Sequence, residues 1–358
     1  MATWYVNSAT GSTGNGGTAQ GDAWPSVAYA LGQPLATHDR LFCTGGETIT
    51  STLAPFVSDL LIEGFALVPG DGGKYTITLD AGWTAGDRAY DTVANGFYHS
   101  KLKHLKFDGN GRAAAAVYGS GSRSFLQLYD LEVTGFAGSS NLVETHHCVA
   151  DRMYIHDNPS TGWAGNLKFG GRGLRILNNG GNGVTTSDSR GVLFDAIVAG
   201  NAGRGIEFQF GILNASRFVV ANNGGHGVRY YSPNNKDRFP QLFDGIVWGN
   251  ANFGLFGSAL DETGTGVYRN LFVGGNTQGD VFDGNTNGIT TLAANPFTDD
   301  ANDDFSLNDA ADGGAVLKAV TDTFGGTTTH PFAWLAGAGS GGGTPSTPTR
   351  RNIPEGWR

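Results

Sequence analysis

Four basic side chains that lie close together in the sequence could transfer a proton beside a carboxylate. They are His147, His156, Lys168 and Arg172. A basic residue can remove the proton α to a carboxylate while a neighbouring cation neutralises the negative charge. The set predicts a lyase-type site if the fold brings the four side chains together. The alternative is a polar surface cluster without catalytic function.

A sequence motif repeated between residues 153 and 282, here called the Asn phrase, indicates which structural elements hold these residues. It consists of an aliphatic residue, two small residues, Asn, three variable residues, Gly and an apolar residue, as in ILNNGGNGV (176–184). In register, the asparagines are Asn158, Asn179, Asn201, Asn223, Asn250 and Asn276. By subtraction the steps are 21, 22, 22, 27 and 26 residues. A repeat of this length indicates a solenoid.

The residue types favour a solenoid made of strands. β-Branched and aromatic residues dominate each copy, and the Gly and Asn between them disfavour helix. A leucine-rich repeat would need Leu at fixed offsets and a helical return segment. Segments such as RGVLFDA show neither. We therefore predict an all-β, single-stranded right-handed parallel β-helix with coils of about 21–27 residues. In architecture the chain resembles the pectate-lyase-like β-helix superfamily from residue 1 to about 310.

Stacked coils would place equivalent residues in columns. We expect a buried aliphatic column of Ile155, Ile176, Val198, Val220, Val247 and Val273. We expect the six asparagines to form an amide ladder. A glycine column of Gly162, Gly183, Gly205, Gly227 and Gly254 would supply positive φ. Two sets of charges, Asp195 with Arg217 and Asp244, and Glu207 with Arg229, should form exposed pairs between neighbouring coils.

The sequence divides into four parts around this stack. Residues 1–40 are predicted to form an N-terminal strand and a capping helix at WPSVAYALGQPL, and residues 41–310 the β-helix. Residues 311–337 are predicted to form a C-terminal cap. Residues 338–358 form a Gly/Ser/Pro linker and a terminal arm. The run Asp299, Asp300, Asp303 and Asp304 lacks the spacing of an EF-hand, which favours a solvated acidic turn.

Enzymes of the resembled superfamily suggest motifs that this sequence only partly matches. The G-H-G of polygalacturonase-like hydrolases occurs at 225–227, without their acidic motifs or R-I-K segment. The R-x-P-x-x-R of pectate lyases is absent. Other lyases of this fold use a Lys/Arg pair, for which Lys168 and Arg172 are the best match. The D-P-H-D of mannuronan epimerases is echoed by IHDNP (155–159). No cofactor and no metal site is predicted.

Composition and aromatic residues restrict the partners. The net charge of −9 disfavours nucleic acid and anionic membranes, and no apolar run is long enough to span a membrane. Aromatic side chains in consecutive coils could contact a glycan or another subunit, with core packing as the alternative. The predicted contact residues are Trp163, Tyr230, Tyr231, Trp248 and Phe253.

Three functions are consistent with these patterns. The first is a non-enzymatic phage virion component, resembling tail spikes or capsid decorations, which would assemble in the host cytoplasm and could form a homotrimer. Its terminal arm would anchor it to other subunits through Arg350, Arg351, Trp357 and Arg358. The second is a polysaccharide lyase or glycoside hydrolase with an atypical site. The third is a cell-surface carbohydrate-binding module. The N-terminal residues lack the pattern of a signal peptide, and an extracellular location is expected only if one has been removed.

Overall fold

The computed structural model describes most of the chain. It covers residues 1–84, 88–93, 99–119, 125–138, 141–145, 147–165, 170–187, 190–209, 212–231, 240–257, 266–282, 286–320, 332 and 335. Short helical elements occur at Gln20–Asp22, α1 (Val27–Leu31), Asp300–Asn302 and α2 (Gly314–Lys318).

All remaining regular structure in these described ranges is strand. In chain order the strands are β1 (Thr3–Asn7), β2 (Arg40–Thr44), β3 (Gly46–Ile49), β4 (Leu60–Gly64), β5 (Tyr75–Leu79), β6 (Arg88–Asp91), β7 (His99–Lys103), β8 (Leu105–Arg112), β9 (Ala115–Gly119), β10 (Phe125–Tyr129), β11 (Glu132–Phe136), β12 (Val143–Thr145), β13 (Cys148–Asp151), β14 (Tyr154–His156), β15 (Trp163–Gly165), β16 (Gly170–Arg172), β17 (Arg175–Leu177), β18 (Val184–Ser187), β19 (Arg190–Ala199), β20 (Ile206–Gln209), β21 (Ile212–Ala221), β22 (Val228–Tyr231), β23 (Gln241–Trp248), β24 (Phe253–Gly257), β25 (Val267–Gly274), β26 (Gly279–Phe282), β27 (Ile289–Leu292), β28 (Phe297–Asp299) and β29 (Asp304–Leu307).

The strands stack as three parallel rows, apart from β28 and β29, which form a separate antiparallel pair. Row 1 contains β1, β2, β4, β7, β10, β13, β16 and the first halves of β19, β21, β23 and β25. Row 2 contains β3, β5, β8, β11, β14, β17, the second halves of the same four strands, and β27. Row 3 is the nine-stranded sheet from β6 to β26. The chain is therefore the predicted right-handed parallel β-helix.

Rows 1 and 2 meet at a corner made by one residue per coil. From His104 to Asn270 this residue has a φ between 49° and 63°, in the left-handed region. The column comprises His104, Asp130, Arg152, Gly173, Asp195, Arg217, Asp244 and Asn270. A single left-handed residue reverses the side-chain alternation, so inward residues continue on both sides of the corner. The predicted aliphatic column lies just beyond it and is buried in the bore.

The six repeat asparagines form a continuous buried column after row 2. Each side-chain amide from Asn158 to Asn250 donates to the next Oδ1 at 2.9–3.0 Å. From Asn201 onward, the same Oδ1 atoms also accept from the backbone N–H of the preceding asparagine, as in Asn201 N to Asn223 Oδ1 at 3.1 Å. The ladder thus satisfies backbone groups that the turn would otherwise leave unpaired.

The glycine column has a different cause from the one expected. None of its five members has a positive φ. Instead, a Cβ on Gly205 would lie 2.7 Å from the Gly227 oxygen and 2.8 Å from Asn223 Nδ2. Glycine is required because the chain passes close to the next coil. Positive φ occurs one residue before each ladder asparagine, at Asp157, Asn178, Gly200, Asn222, Gly249 and Gly275.

Two of the expected charge pairs form, and their carboxylates are buried. Arg217 Nε lies 2.7 Å from Asp195 Oδ1, and Arg229 Nη1 lies 3.1 Å from Glu207 Oε1. The side chains of Asp195 and Glu207 are 8% and 7% exposed. Each carboxylate also contacts a second arginine, Arg172 for Asp195 and Arg204 for Glu207, so two guanidinium groups neutralise each buried charge.

The two ends of the chain are used differently. At the N-terminus, Ser26 Oγ accepts from Tyr29 N at 3.0 Å and starts α1, whose Val27, Ala30 and Leu31 are buried in the bore. The C-terminal segment, residues 295–320, packs instead along the outward side of row 2. Its Phe297, Phe305 and Leu317 form a second core with outward residues of that row, where the sequence predicted an end cap for residues 311–337.

Candidate functional site

The predicted catalytic residues do not share one face. His156 lies on β14 in row 2. Arg172 lies on β16 in row 1, before the corner, where its Nε contacts Asp195 Oδ2 at 3.3 Å. His147 precedes β13, also in row 1. Lys168 lies outside the described residues. Of the four, only His156 is placed by the structure on the outward face of row 2.

A different set of polar residues surrounds His156. The pairing register puts Lys106, Glu132, Tyr154 and Arg175 in one outward column of row 2, on β8, β11, β14 and β17. The ring of Tyr154 stacks on that of His156 with centroids 3.9 Å apart and planes inclined by 19°. Because strands stack about 4.8 Å apart, the column aligns its side chains along the axis.

Carboxylates hold the imidazole of His156 on two sides. Nδ1 lies 2.7 Å from Asp157 Oδ2, and Nε2 lies 3.8 Å from Glu132 Oε1. Glu132 is itself held by Lys106 at 2.9 Å and by Lys74 at 3.2 Å. The side chain of Asp157 is 62% exposed, whereas that of His156 is 15% exposed. The outermost acid of the group therefore faces water.

The C-terminal segment supplies one more acid. Asn178 Nδ2 donates to Asp303 Oδ2 at 3.1 Å, and Asn222 Nδ2 donates to Asp300 Oδ2 at 2.8 Å. Two carboxylates of the predicted acidic turn are thus attached to the stack. Asp303 is close enough to Arg175 and Tyr154 for their charges to influence one another.

Burial and neighbouring charges shift the proton affinities of the group. Burial lowers the pKa of His156, but the Glu132 and Asp157 carboxylates outweigh it and raise that pKa. The His156 imidazole is the main cause that holds the pKa of Glu132 well below its usual range. Burial raises the pKa of Tyr154 despite the Arg175 guanidinium, and burial raises the pKa of Asp303. The carboxylates therefore favour the charged form of the imidazole, and burial favours the neutral form of the phenol.

These residues could perform acid–base chemistry on a bound anion. We name Lys106, Glu132, Tyr154, His156, Asp157, Arg175 and Asp303 the row-2 cluster. Its cations could bind a carboxylate, and its phenol and acids could accept or donate protons. Among the described residues, no group of three or more His, Cys, Asp and Glu could hold a metal ion.

The predicted contact residues have mixed positions. Trp163 and Tyr230 are 0% and 4% exposed and line the bore, so they cannot contact a glycan or a subunit. Trp248 packs against the second core. Phe253 is half-buried and contacts the rings of Phe256 and Phe282. The arm residues Arg350, Arg351, Trp357 and Arg358 lie outside the described part, and Tyr231 ends β22 at its edge.

Four residues of the row-2 cluster belong to a second repeat in the sequence, which is less regular than the Asn phrase. Lys106, Glu132, Tyr154 and Arg175 recur at steps of 26, 22 and 21 residues by subtraction. Each directly precedes an inward apolar residue, so the outward position could be found by extending the aliphatic column to Phe107 and Val133. Asp303 is not part of this repeat. It reaches the cluster only because the distant C-terminal segment packs against row 2.

Several solved structures are similar to this chain at low sequence identity. The A-module of the Azotobacter vinelandii mannuronan C-5 epimerase AlgE4 is similar over 80% of this chain and 91% of its own, at 16% identity and a TM-score of 0.43. A lacto-N-biosidase from Eubacterium ramulus matches 81% of this chain and 68% of its own, at 11% identity and a TM-score of 0.40. A rhamnogalacturonan lyase matches 82% and 85%, at 10% identity and a TM-score of 0.37.

Other comparisons find nothing. No protein-family model matches the sequence, and no curated protein does. In the described part of the chain, no helix is long and apolar enough to cross a membrane.

Proposed function

We propose that the protein is a polysaccharide lyase that acts on a uronate-containing glycan at the outward face of row 2. The observation that carries the proposal is the stacked Tyr154–His156 pair, placed in register between Lys106 and Arg175. A half-buried phenol next to the Arg175 guanidinium, with Glu132 and its partner Lys106 on the preceding coils, suits a substrate whose carboxylate lies next to the reacting carbon. This function was the second of the three hypotheses from the sequence.

In this mechanism the uronate carboxylate binds Arg175, the neighbour of Tyr154 in the column, while Lys106 compensates the charge of Glu132 on the other side. Neutralising that carboxylate makes the α proton at C5 more acidic. The Tyr154 oxygen, as phenolate, takes this proton. The electron pair forms the C4–C5 double bond, and the C4–O bond breaks. Tyr154 then returns the proton to the departing oxygen, so one residue serves both transfers and no proton is gained or lost.

His156 acts as a positioning residue. Its Nδ1 is bound to Asp157, and its ring lies on the face of Tyr154. A charged imidazole against the ring favours the phenolate when Tyr154 loses its proton. Burial opposes this and keeps the resting phenol neutral. The rate should therefore rise with pH while His156 is charged and level off once the imidazole loses its proton.

A glycoside hydrolase is the second candidate, because of Asp303. Burial raises the pKa of its carboxyl, whereas the Asp157 carboxylate is mostly exposed. One carboxyl whose pKa is raised and one exposed carboxylate are the two kinds of group that general acid–base hydrolysis uses. Hydrolysis would need no uronate and would leave no double bond in the product.

Product analysis separates these candidates. The intact protein is incubated with polymannuronate, polyguluronate, polygalacturonate and a neutral glucan, and the products are followed by ultraviolet absorbance and reducing-end assay. Absorbance from a new C4–C5 double bond together with new reducing ends supports the lyase. New reducing ends without absorbance support the hydrolase. The absence of both, with every substrate, contradicts both candidates.

The non-enzymatic functions stay predictions. A virion component with assembly partners, a trimeric state and a virion location depends on the terminal arm, which lies outside the described residues. A carbohydrate-binding module would bind one of the same polymers and leave it intact. A binding measurement alongside the product assay tests that possibility.

A further inference from the structure

The outward face of row 2 changes abruptly from polar to apolar residues along the axis of the stack. In the column of Tyr154, polar members end at Arg175, and the next are Ile197, Val219, Ile246 and Phe272. These four point out of the bore yet are at most 4% exposed. In the column of His156 the change comes one coil earlier, at Leu177, which is also buried. Something must cover the later coils.

The C-terminal segment is that cover. Phe297, Phe305 and Leu317, all at most 2% exposed, join these apolar residues in one cluster. Phe332 extends the contact with its ring 6.0 Å from that of Phe272. The hydrogen bonds from Asn222 to Asp300 and from Asn178 to Asp303 fix the edge of the segment at two ladder turns.

This edge coincides with the row-2 cluster. Asp303, with a left-handed φ of 61°, ends the helical turn Asp300–Asn302. It interacts with Arg175, the last polar member of its column. On the N-terminal side the columns continue through the half-buried Thr76 and Thr78, which are small and uncharged. In the described residues, the C-terminal segment therefore blocks the outward face of row 2 at Asp303. At its N-terminal end the same face is lined by small residues.

We propose that the C-terminal segment closes one end of the substrate face, so that the protein processes glycans from a chain end. The proposal rests on the lyase function given above. Coils about 4.8 Å apart leave roughly 14 Å of open face from Thr76 to Tyr154. A polymer lying along the axis over Tyr154 meets the segment at Asp303 and cannot continue across Ile197. Only a chain terminus fits there.

Asp303 and Arg175 are the specificity-determining residues of this closed end. A terminal sugar carries one hydroxyl that an internal sugar has lost to its glycosidic bond. A carboxylate and a guanidinium at the wall can accept from and donate to such a hydroxyl. An internal sugar would leave these groups partly desolvated without a partner, which penalises internal binding.

The time course of product size tests the proposal. The intact protein is incubated with the uronan that it degrades best, and solution viscosity is followed together with absorbance. Chain-end action predicts one short product from the first time point and a slow fall in viscosity. An early fall in viscosity with a wide range of product sizes overturns the chain-end proposal and leaves the lyase function intact. Absence of any degradation removes the lyase function and this proposal together.

A pair of variants tests the closed end itself. Asp303→Ala should raise KM for short oligosaccharides about tenfold, as expected for one lost charged hydrogen bond, with a smaller effect on kcat. Asp299→Ala is the control, because Asp299 is exposed in the same segment and contacts Asn302. Equal KM values for the two variants and the unchanged protein would show that Asp303 does not bind the terminal sugar of the glycan. Circular dichroism checks that both variants fold.

Discussion

The rings of Tyr154 and His156 stack face to face on the outward side of row 2, with centroids 3.9 Å apart. Offset stacking of this kind contributes about 0.5–1.5 kcal/mol beyond burial. It also brings a proton-transfer group and a charge within contact distance. Neither residue belongs to the bore, and Tyr154 packs instead against the second core on the outward side of row 2.

The hydroxyl of Tyr154 is the first feature to test. Tyr154→Phe keeps the ring and its stacking but removes the proton-transfer group. We expect the rate on the preferred uronan to fall by about 10²–10⁴-fold, the usual contribution of general acid–base catalysis. The stability should change little. Tyr129→Phe is the matched control, because Tyr129 also points outward, on β10 in row 1. Retention of full activity in Tyr154→Phe would exclude the proposed mechanism.

The charge of His156 predicts how stability depends on pH. The pKa of His156 is raised in the folded protein, so its contribution is complete below the unfolded value of about 6.5. It is lost as the pH rises through the folded pKa. The difference in the free energy of unfolding between the protein and His156→Gln should therefore be largest in mild acid and shrink above that value.

Denaturant unfolding between about pH 5 and pH 9 measures this difference, since the range brackets the titration of a histidine whose pKa is raised. His99→Gln is the control, because the His99 side chain is 50% exposed and its ion pair with Asp59 contributes little. A difference for His156→Gln that grows with pH would show that the neighbouring carboxylates do not stabilise its charged form.

The ladder predicts a large cost for a central substitution. Asn201 Nδ2 donates to Asn223 Oδ1 and to the Ile176 and Ala199 oxygens. Asn201→Ala removes this donor from the Ile176 and Ala199 oxygens and removes the acceptor of Asn179 N, and each buried group left unpaired costs about 1–3 kcal/mol. Asn276→Ala, at the end of the column and 9% exposed, should cost less. The midpoints of denaturant unfolding give the comparison, and equal costs would argue against a cooperative ladder.

The glycine column predicts a packing defect rather than a backbone strain. Gly205→Ala would place a methyl group against the Gly227 oxygen and Asn223 Nδ2. We expect a loss of about 1–3 kcal/mol, typical of overpacking. Gly21→Ala is the control, since nothing lies within 4 Å of its Cβ position. A Gly205→Ala protein as stable as Gly21→Ala would show that the coils can move apart there.

The fold was predictable because its signal repeats. Asn and the aliphatic residue before it recur in every coil from residue 153, and each recurrence is an independent observation of the same column. Residue type did not reveal why glycine is needed, since close approach and positive φ both select it. The structure separates the two causes, with Gly205 packed tightly and Gly200 at a φ of 64°.

The candidate site was harder to predict, for two physical reasons. Its strands β8 and β11 lie before the Asn phrase begins, so Lys106 and Glu132 can be set in register with Tyr154 only through the aliphatic residues Phe107 and Val133 that follow them. The outward Ile197 and Val219 did signal a second apolar face. Yet sequence pattern alone does not say which distant segment covers such a face, and Asp303 comes to the site only through that cover.

The corner between rows 1 and 2 limits how this molecule can change in evolution or design. One left-handed residue makes that corner in each coil, and from Arg152 onward the ladder asparagine follows at a constant distance of six residues. The longer coils take up their extra length elsewhere, between Tyr231 and Gln241 and between Gly257 and Val267. New sequence can therefore be grafted at the passage from row 3 to row 1 without altering the cross-section of row 2. That passage is the natural place to attach reporters or affinity handles while keeping the proposed catalytic face as it is.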